Sequence, residues 1–290
     1  MIDRSSRANF QIYERQDVAA HYAALNYLTP CEQLLFESYI PQGGAILDLG
    51  VGGGRTTSYL AHRASRYVGV DYAASMVEAC QAKFPSLEFV VADAADLSVF
   101  GDESFHAVVF AFNGIDYVLP DDLRRRCLGH IQRILKPGGA VIFSSHNPRS
   151  VIIRPSWNRQ RLRSMARRFS AGSGGLYWLL YMALTLARVA LACWQALIAS
   201  LRRAARRIPT RMFWRGEGTL LDPAHGGLLT HYATPERMIG ESAAFHLHPV
   251  RILGEDYPRS SHPYLTDWYY YVFTKAREVI EPCDSSSSTK

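Results

Sequence analysis

Short apolar segments alternate with helical stretches from residue 45 to residue 145, and this alternation constrains the fold more than any other feature. Five segments have the length and composition of buried strands: 45–49, 67–70, 87–91, 105–112 and 140–144. Helical patterns lie between them over residues 74–83 and 121–135. Strands and helices that alternate at this spacing form βαβ units. With two later strand-like segments, 249–255 and 268–275, they predict an α/β fold with a doubly wound, mostly parallel, seven-stranded sheet.

The order of these segments predicts one sheet interrupted by an insertion. Residues 1–150 should contain N-terminal helices and the first five strands, and residues 216–282 should supply the last strands of the same domain. Residues 151–215 would then form a helical, Arg-rich insertion between strands five and six. Near the start, residues 11–40 are predicted to be helical with a break at Pro30.

A glycine-rich turn, Asp48-Leu-Gly-Val-Gly-Gly-Gly54, follows the first predicted strand. Glycines let the backbone turn sharply and approach a ligand closely, and a helix beginning beyond the turn offers free amide donors. A dinucleotide-binding turn would need a third glycine where this chain has Arg55, and no Gly-Lys-Ser/Thr follows for a phosphate loop. Asp48 would repel a pyrophosphate, but it could help to bind a cationic amino-acid group.

Carboxylates also stand at the ends of the next two predicted strands. Asp71 ends the segment VGVDY, where it could accept hydrogen bonds from both hydroxyls of a ribose. Asp93 follows the third strand and could accept from an adenine amino group, while the Ala94 amide donates to the ring. Tyr72 would either lie against the adenine or pack at the strand end. Since parallel strands bring their carboxyl ends to one edge of the sheet, these residues predict one nucleoside site.

Several segments resemble, in order, the motifs of the class I methyltransferase family: ILDLGVGGGRTT, VGVDY, VVADAADL, FNGIDYV and LKPGGAVIFSSHN. The resemblance covers residues 11–148 well and the last two strands loosely. It implies S-adenosylmethionine as cofactor, with S-adenosylhomocysteine as product. It also implies that Gly50, Gly52 and Gly54 line the methionine part of the cofactor.

The same resemblance assigns roles to further residues. Asp71 would bind the ribose, and Asp93 with Ala94 would bind the adenine. Phe112 and Asn113 would close the cofactor site from the end of the fourth strand.

Tyr13 and Tyr22 occupy the N-terminal helical region that often covers the cofactor in such enzymes. The alternative for these two tyrosines is packing on a helix face.

Methyl transfer from a sulfonium needs a well-placed nucleophile and, for a hydroxyl acceptor, removal of a proton. His146, just beyond the fifth strand, is the candidate general base; a structural role is the alternative. Asp116 and Tyr117 should lie near the substrate entrance. The sequence Asn113-Gly-Ile-Asp lacks the Asn/Asp-Pro-Pro-aromatic motif of DNA-base methylation. Weaker candidates precede the late strands: His225, His231 and Tyr232.

The predicted insertion differs in charge from the rest of the chain. The net charge is +6, but residues 151–215 contain thirteen Arg, no Lys and no acidic residue, so the remainder is net acidic. Residues 176–201 are long enough to cross a bilayer, yet a narrow polar stripe makes the predicted helix amphipathic. It could lie in the interface of an anionic membrane, cover a lipophilic substrate, or pack against its own domain or a dimer mate. One membrane crossing would separate strands of the same sheet.

Composition favours a cytoplasmic protein, either free or peripheral to the inner face of a membrane. Residues 1–15 contain no apolar stretch typical of a secretory signal. The five cysteines are scattered without metal-ligand spacing, which predicts reduced thiols and no metal site. Four consecutive serines predict a disordered tail over residues 283–290.

Three functions remain open on the sequence. The first is an S-adenosylmethionine-dependent methyltransferase acting on a hydroxyl or an amine of a small or lipid-like molecule, with the hydroxyl preferred. The second is an RNA methyltransferase that uses the Arg-rich insertion for phosphates, although the wide apolar face of residues 176–201 disfavours nucleic acid. The third is a membrane-surface binding protein that has lost activity on the same scaffold.

Overall fold

The structure, a computed structural model, describes residues 4–149, 216–222, 228–259 and 266–276. The predicted insertion over residues 151–215, its amphipathic helix, the predicted tail and His225 lie outside the described residues. Within the described ranges, no helix is both long enough and apolar enough to span a membrane.

Among the described residues, seven strands form one sheet and two more form a separate hairpin. The strands are β1 (Gly44–Leu49), β2 (Ala64–Asp71), β3 (Glu88–Val91), β4 (Phe105–Phe110), β5 (Leu135–His146), β6 (Glu217–Asp222), β7 (Leu228–Ala233), β8 (Leu247–Gly254) and β9 (Trp268–Lys275). The sheet has the order β3-β2-β1-β4-β5-β9-β8. Strands β1 to β5 pair in parallel, whereas β9 runs antiparallel to β5 and to β8. The predicted doubly wound, mostly parallel, seven-stranded sheet is confirmed.

Helices cover both faces of this sheet. They are α1 (Arg4–Tyr13), α2 (Gln16–Ala23), α3 (Pro30–Tyr39), α4 (Thr57–Arg63), α5 (Ala74–Lys83), α6 (Asp121–Ile134) and α7 (Pro235–Ala243). Because both faces are covered, neighbouring residues of a central strand are buried on opposite sides. Ile46 packs with Leu35 and Leu60 on one face, while Leu47 packs with Leu128 on the other. This two-sided burial explains why β1 is a continuous apolar run in the sequence.

The prediction of helix over residues 11–40 was wrong at residues 14–15 and 24–29, where the chain is not helical. A proline disfavours helical backbone in the residue before it, and Thr29 is extended accordingly. Its hydroxyl accepts the Glu32 backbone N–H at 3.1 Å, and the Glu32 carboxylate accepts the Thr29 N–H at 2.9 Å. This capping box begins α3 at Pro30 and separates it from α2.

The strand order places the candidate site at the carboxyl end of β1. This strand lies between β2 on one side and β4 on the other, and the chain winds outward in opposite directions from that point. In open α/β sheets, ligands bind in the crevice that such a reversal leaves at the strand ends. The loops after β1, β2, β3 and β4 all open toward this crevice.

The hairpin of β6 and β7 was not predicted from the sequence. Its two strands pair in antiparallel register from Glu217 opposite Ala233 to Asp222 opposite Leu228. The side chain of Asn9 in α1 holds the free edge of β7, because it accepts the Leu229 N–H at 2.9 Å and donates to the Leu229 carbonyl at 2.7 Å. The hairpin is thereby fixed to the N-terminal helices beside the crevice.

Candidate active site

The turn after β1 is shaped by glycines that other residues could not replace. Gly52 has a φ of +54°, a left-handed conformation that favours glycine. A Cβ on Gly53 would overlap with the backbone of Tyr22 and Ala23, so the end of α2 lies directly against the turn. The close approach fixes α2 as a cover over this part of the crevice.

Asp71 connects the end of β2 to this turn. Its carboxylate accepts the Gly52 N–H at 2.9 Å and the Ala73 N–H at 3.0 Å, which leaves lone pairs for a ligand. Burial raises the pKa of Asp71 to about 6, although these backbone donors oppose the shift. A ligand that donates hydrogen bonds to the ionised carboxylate would offset this cost of burial.

The ends of β2 and β3 bring Tyr72, Asp93 and Ala94 to the same edge. Asp93 accepts the Ala95 N–H at 2.8 Å, which orients its carboxylate. The hydroxyl of Tyr72 is buried, and nothing in the described part of the chain hydrogen-bonds to it. An unpaired buried hydroxyl is costly, so its position at the cavity wall indicates space for a polar group of a ligand.

A cavity of about 170 Å³ runs along these strand ends. One buried water needs only about 10–15 Å³ by a comparable measure, so the space suits a larger ligand. Nine of the twelve residues predicted for the cofactor line it: Tyr13, Tyr22, Gly50, Gly52, Asp71, Tyr72, Asp93, Ala94 and Phe112.

Aromatic rings form much of the cover of this cavity. The ring of Tyr13 lies 6.1 Å from that of Tyr22, 6.0 Å from that of Tyr72 and 5.9 Å from that of Tyr117, measured between centroids. Burial raises the pKa of Tyr13 further above its ordinary value. Tyr13 therefore stays neutral at physiological pH, and its ring lines the cavity.

The other three predicted cofactor residues, Asp48, Gly54 and Asn113, do not line the cavity. The Asp48 carboxylate accepts the hydroxyls of Thr56 at 2.8 Å and Tyr67 at 2.9 Å, and burial raises its pKa to about 6. The Asp48 carboxylate therefore stabilises the turn through Thr56 and Tyr67 and does not face the cavity. Asn113 has a left-handed backbone and donates its N–H to the Ser144 hydroxyl at 2.8 Å, which directs its side chain toward β5.

His146, the predicted general base, forms a pair with Asp116. Its Nδ1 lies 2.8 Å from the Asp116 carboxylate, which also accepts the His146 backbone N–H at 2.6 Å and the Ser145 hydroxyl at 2.7 Å. Burial favours a raised pKa for Asp116, but His146 and His231 beside it hold the pKa below its usual value. The ionised Asp116 thus orients His146 with a proton on Nδ1 and a lone pair on Nε2.

Tyr117 connects this pair to the cavity. Its ring lines the cavity and lies edge-on to the His146 ring at 6.3 Å, while the ring of Tyr232 lies 5.0 Å from His146. The His146 side chain is 14% exposed and its Nε2 lies 3.2 Å from the Asn113 amide nitrogen. His146 itself does not line the cavity. Across the described ranges, no group of His, Cys, Asp and Glu side chains is arranged to hold a metal ion.

A comparison with known protein families finds a match over the residues that include these strand ends. Residues 46–139 match the family described as methyltransferase domain. They form a methyltransferase domain of the class I, S-adenosylmethionine-dependent type. This domain contains the glycine turn, Asp71, Asp93 and Asp116, whereas His146 and the β6–β7 hairpin lie beyond the matched residues.

Individual relatives share the methyltransferase domain but not their full length. The chain is 37% identical over 104 residues to a demethylmenaquinone methyltransferase of Clavibacter sepedonicus, which covers 35% of this chain and 40% of that protein. It is 34% identical over 122 residues to a fatty-acid O-methyltransferase of Mycolicibacterium smegmatis, covering 41% and 42%. The chain thus spans about two fifths of the length of these curated relatives.

The likeness in fold to solved structures covers more of the chain than the sequence match does. The solved structure of the CcbJ methyltransferase of Streptomyces caelestis superposes with a TM-score of 0.56, covering 91% of this chain and 98% of that one. The two sequences are 16% identical, so this likeness concerns the fold.

The cavity of the methyltransferase domain fits S-adenosylmethionine on three features of the structure. Gly50 and Gly52 line the cavity and have no Cβ that could fill the approach to β1. Asp71 has carboxylate lone pairs left for a ligand that donates hydrogen bonds, and the buried Tyr72 hydroxyl has no partner in the described part of the chain. Asp93 and Ala94 line the same cavity at the end of β3.

The structure adds Arg55, which the sequence analysis treated only as a departure from the dinucleotide pattern. Arg55 lines the cavity, and its guanidinium pairs with the buried carboxylate of Glu32. The same group lies 4.8 Å from the centre of the Phe112 ring and 5.2 Å from that of Tyr27. An arginine inside an otherwise apolar and glycine-rich turn is a signal that could have identified it.

Proposed function

We propose that this chain transfers the methyl group of S-adenosylmethionine to a hydroxyl group of a small, lipophilic molecule. The observation that carries the proposal is that a ring lining the cofactor cavity, Tyr117, also contacts His146, which Asp116 orients. Tyr117 thus lies between the cavity and the oriented His146. This arrangement would place the methyl donor next to the base that activates the acceptor.

The chain's own residues have distinct tasks in such a transfer. S-adenosylmethionine supplies an activated methyl group when it is bound. Asp71 and Asp93 bind and orient the cofactor, and the rings of Tyr13 and Tyr22 exclude water. His146 takes the proton of the acceptor hydroxyl on Nε2, while Asp116 stabilises the imidazolium that forms. The Asn113 amide, which now faces Nε2, must yield this position to the acceptor.

A hydroxyl acceptor uses this base more fully than a carboxylate acceptor does. A carboxylate is already ionised at neutral pH and needs no proton removed before transfer. Support for a lipophilic molecule comes from the relatives, whose names specify demethylmenaquinone and a fatty acid as substrates. Exposed aromatic rings near the cavity opening agree with such an acceptor, since Phe10, Tyr27 and Phe112 are 36%, 48% and 40% exposed.

The first test is calorimetric titration of the purified chain with S-adenosylmethionine and S-adenosylhomocysteine. Micromolar binding of both is expected. Absence of binding would overturn the enzyme proposal and favour the inactive membrane-surface protein.

The second test is transfer of a radiolabelled methyl group to a panel of quinols, long-chain alcohols, fatty acids and alkylamines. His146→Asn should reduce methylation of a hydroxyl about 10²–10⁴-fold. Equal rates in wild type and His146→Asn with every hydroxyl acceptor would remove the base from the proposal. Exclusive methylation of amines or carboxylates would overturn the acceptor class.

The proposed membrane association is carried by the sequence of residues 151–215. Its many arginines and the apolar face of residues 176–201 favour binding to the surface of an anionic membrane. The full chain should sediment with vesicles containing phosphatidylglycerol, and replacing residues 155–212 with a short linker should abolish this while cofactor binding persists. Salt-dependent binding to RNA without vesicle binding would favour the RNA methyltransferase.

A further inference from the structure

The β6–β7 hairpin brings a second histidine to the carboxylate that orients His146. His231 lies in β7, and its Nδ1 is 3.7 Å from Oδ1 of Asp116. The His231 side chain is 2% exposed, and neither ring nitrogen has a hydrogen-bond partner in the part of the chain that the structure describes. A buried imidazole must carry an N–H on at least one nitrogen, so this geometry leaves a costly donor unpaired.

The two oxygens of Asp116 are occupied unequally. Oδ2 accepts both the backbone N–H and the Nδ1–H of His146, at 2.6 and 2.8 Å. Oδ1 accepts the Ser145 hydroxyl at 2.7 Å and has one more lone pair available. His231 is the imidazole that faces Oδ1, and a shift of less than 1 Å would turn the present approach into a hydrogen bond.

We propose that His231 is a positioning residue that sets the proton affinity of His146 through the carboxylate they share. An N–H of His231 that donates to Oδ1 withdraws charge from Asp116 and so weakens its support of a protonated His146. A full positive charge on both histidines would have to be balanced by one carboxylate. The histidines therefore titrate as a coupled pair in which protonation of one opposes protonation of the other.

Other ionisable groups around the pair do not supply this coupling. Tyr117 and Tyr232 contact His146, and Tyr271 on β9 faces Asp116 with its hydroxyl buried. Burial, and then the Asp116 charge, raise the pKa of Tyr271 further above its ordinary value, so this phenol is neutral wherever histidine titrates. Among the described residues, Arg149 and Glu236 are further charged groups near Tyr271, and they lie 3.4 Å apart and pair with each other.

This inference deepens the proposed function, in which His146 is the base, but its test needs neither cofactor nor acceptor. The full chain, with its ten histidines labelled at ¹³Cε1, is titrated from pH 5 to pH 9 by NMR. Spectra of His146→Asn and His231→Asn assign the two resonances. In the wild type, the ¹³Cε1 chemical shift of His231 should change over the same pH range in which His146 gains its proton.

Matched variants separate coupling from packing. His231→Leu removes the donor. The midpoint of the His146 titration should then rise by about half a pH unit to one unit. His231→Asn keeps an N–H near Oδ1 and should restore the wild-type midpoint. Ser145→Ala removes the other donor to Oδ1 and should also raise the midpoint, which gives a second route if His231→Leu fails to fold.

Two outcomes overturn the inference. One is an unchanged His146 midpoint in a folded His231→Leu protein, as judged by thermal melting. The other is a wild-type His231 resonance that stays constant across the titration of His146. Either result would leave cofactor binding and methyl transfer untouched, whereas absent cofactor binding with normal coupling would count against the proposed function alone.

Discussion

The two halves of the candidate site are held together in different ways. In the cofactor half, each carboxylate is oriented by backbone amides: Asp71 by Gly52 and Ala73, and Asp93 by Ala95. In the acceptor half, Asp116, His146 and His231 come from three separate segments and face each other side chain to side chain.

This difference indicates how each half should respond to change. Backbone amides stay in place when a side chain is altered, so a substitution in the cofactor half should weaken binding by a graded amount. A side-chain cluster loses several partners at once, so a substitution in the acceptor half should affect both folding and chemistry. The predictions below test this contrast, from the largest effect to the smallest.

The largest effect is expected for Gly53→Ala. This change strikes the backbone packing of the cofactor half, so it should affect folding as strongly as a change in the acceptor half. The added Cβ overlaps with the backbone at Tyr22 and Ala23, which cannot move without displacing α2. We expect a loss of about 4 kcal/mol or more in the free energy of unfolding, measured by urea denaturation. Gly240→Ala, in the exposed helix α7 with open space around it, should instead stabilise the chain by about 0.5–1 kcal/mol.

Asp116→Ala should be the most damaging change in the acceptor half. It leaves the buried donors of Ser145 and His146 without their acceptor. We expect a loss of about 3 kcal/mol in stability by urea denaturation, together with loss of methyl transfer. Asp102→Ala removes an exposed carboxylate paired with Arg133 and should cost about 1 kcal/mol or less. A stability loss no larger than that of Asp102→Ala would show that the Asp116 cluster does not act as a unit.

Asp71→Ala should weaken the binding of S-adenosylmethionine by about 1–3 kcal/mol at pH 7.5, because the ribose loses its acceptor. The wild-type affinity should also depend on pH. The pKa of Asp71 is raised to about 6, and the ribose hydroxyls donate to the ionised form, so affinity should rise from pH 5 to pH 7 and then level off. Calorimetry over this range measures both effects.

The matched control for that experiment is Asp48→Asn. The pKa of Asp48 is also raised to about 6, but its carboxylate bonds to Thr56 and Tyr67 and does not line the cavity. This variant should keep the rise in affinity, whereas Asp71→Asn should abolish it. If Asp48→Asn removed the pH dependence and Asp71→Asn did not, the two acids would have exchanged roles.

The smallest effect is expected for Asn9→Ala, which tests how the hairpin is held next to the acceptor half. Loss of both hydrogen bonds to Leu229 should cost about 1–2 kcal/mol. Hydrogen exchange at the Leu229 amide should quicken, while the Val141 amide in the central sheet keeps its protection. Unchanged exchange at Leu229 would mean that Asn9 does not fix the hairpin.

The sequence predicted the sheet and most of the polar residues that line the cavity at its strand ends, because their signals are local. A buried strand, the turn after it and the acid at the next strand end occupy short stretches, and parallel pairing brings their ends together. Asp48 is instructive, since its position near the end of β1 was correctly predicted, but the direction of its carboxylate does not follow from the local sequence. That direction depends on the Tyr67 hydroxyl, which β2 places beside it.

The β6–β7 hairpin could not be predicted by the same means. Strand β7 reads Leu-Leu-Thr-His-Tyr-Ala, which has little alternation, and its edge is held by Asn9 from the opposite end of the chain. Sequence separation of this kind leaves no periodic signal. His231 was therefore a weak candidate until the fold brought it to Asp116.

By itself, the sequence determined the alternating architecture, the glycine turn and the carboxylates at the strand ends, because backbone periodicity and turn chemistry depend on neighbouring residues. Only the tertiary structure decided that Asp48 supports the turn from below and that Asp116 lies between two histidines. Such contacts depend on which side chains are packed together across the chain: Asp48 bonds to Tyr67, 19 positions away, and Asp116 to His146, 30 positions away. No local pattern specifies that packing.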